Sequence, residues 1–125
     1  MKAVVSYQEI KDFVRNKWNK EVGISPISSN TVCLSYKILI KKISIEITVD
    51  KIENDDVILL HNGGTIVNTA INLLNNDSGI IEQLDNNQIV VHLAKIKKIQ
   101  KALQNIELKS IVFENEMVGI GINLR

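Results

Sequence analysis

Glu107-Leu108-Lys109, with Asp85 upstream, has the spacing of an acid followed by an acid-x-lysine pair. Metal-dependent nucleases use such groups to hold magnesium and position water, and in a strand Glu107 and Lys109 share one face. Against that chemistry, Asp85 falls at a predicted hairpin tip, and a whole predicted helix separates it from Glu107. His61-Asn62-Gly63-Gly64-Thr65 stands between a strand and a helix, where backbone amides can cradle a phosphate. It has neither a lysine after the second glycine nor a third spaced glycine, so it reads as a turn in which Thr65 caps the next helix. His61 and His92 are the only histidines, and neither lies at i, i+4 spacing from another good ligand. Asp50, Glu53, Asp55 and Asp56 lack the glycine and terminal glutamate of a calcium loop and read as a solvated acidic turn. Cys33 sits in an alternating strand with no neighbouring base to lower its pKa. The expectation is therefore no catalytic residue, no metal site and no cofactor: a protein that is not an enzyme.

The elements that would carry these residues follow from hydrophobic periodicity. Ser6 and Glu9 stand at capping-box spacing, and Tyr7, Ile10, Val14 and Trp18 recur on one face, predicting a helix to about Asn19. Residues 23–30, with Pro26 and several serines, read as a connecting loop. Val32, Leu34, Tyr36, Ile38 and Ile40 alternate, the phase flips at Lys41-Lys42, and Ile43, Ile45, Ile47 and Val49 then alternate with Ser44, Glu46 and Thr48. A two-residue connection at the lysines places Ile40 opposite Ile43 and Ile38 opposite Ile45; one long strand bent at a bulge is the alternative. Residues 50–56 read as a turn and 57–60 as a short apolar strand.

A helix is predicted near 65–75, where Ile66, Val67, Ala70, Ile71, Leu73 and Leu74 cover an arc of roughly 160°. Its other face, Asn68, Thr69, Asn72 and Asn75, carries no charge, which predicts a helix covered on most sides. A hairpin follows at 80–84 and 89–93, turning at Asn86-Asn87. The third helix sets Ile96, Ile99, Leu103 and Ile106 against Lys97, Lys98 and Lys101, and a last hairpin pairs 107–113 with 117–124. The predicted order is helix, three strands, helix, two strands, helix, two strands. Runs of strands between isolated helices give a single α+β domain over residues 1–125, its antiparallel sheet packed on amphipathic helices.

Composition narrows the partners. Net charge is +1, and the lysine face of the third helix has no aromatic residues interleaved for base stacking, so no nucleic-acid partner is expected. Residues 1–49 carry eight basic and four acidic groups, 50–92 one and seven, and 93–125 six and three. Such segregation either pairs segments within the fold, the more economical reading, or creates opposed surface patches. One cysteine excludes an internal disulfide. The longest uncharged run, 57–76, holds Gly63-Gly64 and repeated asparagines, so it is not a membrane span. The first residues lack the apolar core of a signal peptide, and the expected location is the cytoplasm.

The stretch Asn87-Gln88-Ile89-Val90-Val91-His92-Leu93, a helix, 106–113, then Val118-Gly119-Ile120-Gly121-Ile122 is similar in layout to single-module proteins of the TULIP-like lipid-binding superfamily. The resemblance lies in a pattern of apolar positions. It implies a curved antiparallel sheet wrapped around a helix, with a lipid or other apolar molecule held in the seam. The groove it implies is lined by Ile43, Ile45 and Ile47 from the sheet and by Val67, Ile71 and Leu74 from the helix. The same side chains could instead fill a dry core or a dimer interface. The expected function is a small non-enzymatic binding protein for lipid or another apolar ligand. The alternative is a protein-protein interaction module, a homodimer among its forms, with no small-molecule ligand.

Overall fold

The alternating segments do become strands, because a strand with one dry face is stable only when it pairs and packs. The computed structural model describes residues 1–64, 67, 79–85 and 87–125. In chain order these form β1 (Lys2–Ser6), α1 (Tyr7–Trp18), β2 (Val22–Ser28), β3 (Thr31–Ile38), β4 (Lys41–Glu53), β5 (Asp56–His61), β6 (Ile81–Asp85), β7 (Gln88–His92), a single 3-10 turn (Leu93–Lys95), α2 (Lys97–Leu103), β8 (Ile106–Phe113) and β9 (Met117–Leu124). Two antiparallel sheets result, one ordered β1-β9-β8 and one ordered β2-β3-β4-β5-β7-β6. The class is α+β.

The order differs from the sequence-based one in two strands, β1 and β2. Residues 2–6 read as a lead-in to the first helix, and 23–30 read as a loop; both pair as strands, β1 with β9 and β2 with β3. Each is a sheet edge. An edge strand needs only half a ladder, so it tolerates Pro26, which has no N–H, and sends a weak signal.

The first hairpin also turns earlier than expected. Tyr36 lies opposite Ile43, Leu34 opposite Ile45 and Val32 opposite Ile47, with Ile38 opposite Lys41. The two-residue turn is therefore Leu39-Ile40, and Lys41-Lys42 opens β4. Both the Lys-Lys turn and the single bent strand are thereby corrected. Cross-strand burial of Val32, at 5% exposure, and Ile45, at 6%, outweighs the preference for polar turn residues.

α1 begins as its cap predicts. Glu9 N donates to Ser6 Oγ at 3.0 Å, and Ser6 N donates to Glu9 Oε1 at 3.3 Å. The buried Tyr7 ties the helix to the β8–β9 turn: its hydroxyl donates to Glu114 O at 2.6 Å. The two sheets meet through Phe113 N donating to Ser29 O at 2.8 Å and through the Arg125–Asp55 ion pair. Val67 is helical and buried; the rest of the predicted helix 65–75, Ile71 and Leu74 included, lies outside the described residues.

Candidate functional site

Paired residues on neighbouring strands share a face, so the registers define the surface that the apolar residues build. Ile43, Ile45 and Ile47 stand on one face of the six-stranded sheet with Tyr36, Leu34 and Val32. Ile47 pairs with His61, Leu59 with Ile89, Ile89 with Gln83 and Val91 with Ile81, which carries the same face across β5, β7 and β6. Ile45, Val67 and Ile89 form the buried cluster at its centre, and Tyr36, Ile43, Ile47, Leu59 and Ile81 pack around it, partly buried. Four predicted lining residues, Ile43, Ile45, Ile47 and Val67, are thus brought together. Ile71 and Leu74 lie outside the described residues.

Gly63 permits the close approach of Val67. A Cβ at this position would lie 2.4 Å from Val67 Cγ2 and 3.2 Å from Ile45 Cδ1. Val90, at 5% exposure, points to the opposite face from Ile89, so β7 is covered on both sides. Open hollows occur on the other sheet, one of them lined by Lys2, Ser110, Val112, Gly119 and Gly121.

His61 sits within the apolar face at 6% exposure. Gly63 N donates to its Nδ1 at 3.2 Å, which leaves the proton of the neutral ring on Nε2. That Nε2 is buried, and it has no hydrogen-bond partner among the described residues. Burial holds the imidazole below its ordinary value, opposed by the charge of Asp85. Gln83 Oε1, on the same face, is likewise buried and without a partner among the described residues, while its Nε2 donates to Asp85 O. Among the described residues, the sheet face therefore holds the unpartnered His61 Nε2–H donor and Gln83 Oε1 acceptor amid largely apolar side chains.

The other candidates are engaged elsewhere. His92 Nδ1 lies 2.8 Å from Asp56 Oδ1 and its Nε2 2.8 Å from Glu82 Oε2. The hydrogen bond to Glu82, then that to Asp56, raises its pKa, because only the imidazolium donates from both nitrogens. The two carboxylates meet opposite ring nitrogens, so they cannot converge with the ring on one ion. Asp55 pairs with Arg125, and Glu53 Oε1 lies 3.0 Å from Lys51 Nζ. Among the described residues no group of three such ligands could hold a metal ion. Glu107 Oε1 is 3.0 Å from Lys109 Nζ on β8, whereas Asp85 belongs to β6 of the other sheet. Cys33 is a free, half-buried thiol. In the glycine turn, Gly63 N is taken by His61, and Asn62 N donates to Glu46 O at 3.3 Å. Those two amides are not free to bind phosphate.

No protein-family model, curated protein or solved structure matches this chain. Sequence reasoning placed His61 in a turn and passed over Gln83. The period of two was the available signal: His61, Leu59 and Val57 lie on one side of β5, as Gln83 and Ile81 do on β6. Among the described residues no helix is long and apolar enough to cross a membrane.

Proposed function

We propose that this chain is a non-catalytic binding protein that holds an apolar molecule with a small polar head, of the lipid class, against the apolar face of the six-stranded sheet. His61 carries the reading. Among the described residues its buried Nε2–H has no acceptor; a donor so left costs about 1–3 kcal/mol, and an oxygen of a ligand head would remove that cost. Gln83 Oε1 supplies a matching acceptor for a hydroxyl or a protonated acid. The apolar body would run along the partly buried margin formed by Ile47, Leu59 and Ile81, with Ile45 and Val67 behind it. The TULIP-like layout of apolar positions supports the same ligand class.

Native mass spectrometry of protein purified without detergent, followed by organic extraction, tests this directly. A reproducible added mass released as a lipid is the expected result. His61→Leu keeps the site apolar and should weaken capture of a fluorescent fatty acid by up to about tenfold, the worth of one hydrogen bond. A ligand-free native spectrum together with no fatty-acid binding would remove the proposal.

A second reading, association with another protein chain, is favoured by the sheet edges. The edge strands β2 and β6 each expose a large apolar residue, Ile27 and Leu84. Light scattering at high concentration would report a dimer on this reading and a monomer against its homodimer form.

A further inference from the structure

We propose that the tip of the β3–β4 hairpin is a docking point for anionic lipid surfaces. The turn residues Leu39 and Ile40 are 93% and 99% exposed, beyond any other large apolar residue of the described chain. Leu39 has a φ of 58°, a left-handed conformation that normally takes glycine. A bulky side chain in that conformation is strained, and its exposure to water adds a second cost. Neither cost returns anything to the fold.

The charges around the tip repeat the pattern. Lys37 and Lys42 are direct cross-strand partners, and like charges in that position repel. Lys41 opens β4 on the other face of the hairpin. All three are exposed, and none has an acidic partner among the described ion pairs. Residues 35–44 contain no acid at all. Two apolar residues ringed by three unpaired lysines combine the two signals that interfacial anchoring requires, a shallow apolar insertion and attraction to anionic head groups. Two side chains offer far too little area for a stable protein interface, which favours lipid as the occupant.

The rest of the molecule supports the orientation. β4 runs from Lys41 to Glu53, so the acidic turn of Glu53, Asp55 and Asp56 lies at its far end, roughly 40 Å away at strand rise. The acids there are paired with Lys51, Arg125 and His92, so an anionic surface would act chiefly on the unpaired lysine end, presenting the tip first.

Co-sedimentation with vesicles tests it: 30% phosphatidylserine in phosphatidylcholine against pure phosphatidylcholine. Binding is expected to the anionic vesicles only and to fall as salt rises. Exchange of Lys37, Lys41 and Lys42 for Gln should weaken it by 10- to 100-fold, at up to about fivefold per lysine. The double substitution Leu39→Gly, Ile40→Asn places glycine at the positive φ and a turn-favouring residue beside it, so it folds at least as well, yet should lose binding at least tenfold. Fluorescence added by Ile40→Trp should be quenched by brominated lipid. Absence of binding, equal binding to neutral vesicles, or unchanged binding by the Gly-Asn variant would overturn the proposal. So would a dimer that the Gly-Asn variant dissociates, which would assign the tip to a second copy of the chain.

Discussion

Adding one methyl group at Gly63 tests whether Val67 is seated on the sheet. Gly63 has no positive φ, so alanine suits its backbone and would restrict the unfolded chain, a gain of about 0.4–1 kcal/mol. The new Cβ would meet Val67 Cγ2 at 2.4 Å, about 1 Å inside ordinary contact, and the Ile45 side chain at 3.2 Å. Ile45 can yield by the few tenths of an ångström required. Val67 is β-branched and stiff at χ1, so its backbone must move. Overpacking of this kind costs about 1–3 kcal/mol, leaving a net loss of roughly 1–2 kcal/mol for Gly63→Ala. For a chain of this length, that lowers Tm by about 4–8 °C. Thermal and urea unfolding followed by circular dichroism would measure it. In the Val67→Ala background the same change should cost at least about 1 kcal/mol less, because the clashing methyl is gone. Gly64→Ala is the control: nothing lies within 4 Å of its Cβ position, but its φ of 54° makes alanine strained for a backbone reason alone. A Gly63→Ala protein that melts at or above the parent, or a penalty unchanged by Val67→Ala, would refute the packing of Val67 against this face.

Three further outcomes are expected. The two histidines should bend the pH–stability curve in opposite directions. His92, raised by Glu82 and Asp56, stabilises fully below pH 6.5 and less as pH rises through its folded pKa; His61, lowered by burial, favours the fold above 6.5 and loses that contribution as pH falls. Urea unfolding from pH 5 to 8 should therefore show stability rising with pH in His92→Gln and falling with pH in His61→Leu, by about 1 kcal/mol for the partly exposed His92 pair. Ser6→Ala removes the acceptor for Glu9 N and should cost about 1 kcal/mol in the same assay, a small change meaning that α1 does not depend on its cap. DNA and RNA incubated with the protein and magnesium should remain intact, since Asp85 and Glu107 belong to different sheets; cleavage abolished by Glu107→Ala would contradict this.

What the amino-acid sequence determined by itself was local. Ser6 and Glu9 set the start of α1, because the cap and its helix lie within one turn of chain. The alternation of Ile43, Ile45 and Ile47 established a strand with one dry face, since side chains two apart must share a side. The apolar run 57–60 marked a short strand, now part of β5. Pairing was another matter. β1 and β2 were missed because an edge strand is specified by its partner and can carry Ser, Gly and Pro. The first hairpin turns at Leu39-Ile40 because register is chosen by the burial of Val32, Leu34 and Ile45 together, which no window of neighbours contains. His61 and Gln83 became a donor and an acceptor on one apolar face only when β4, β5, β7 and β6 were laid side by side. Chain-local periodicity sets which residues can share a face; the tertiary pairing decides which polar atoms that face leaves without a partner, because burial and hydrogen-bond satisfaction are properties of neighbours distant in sequence.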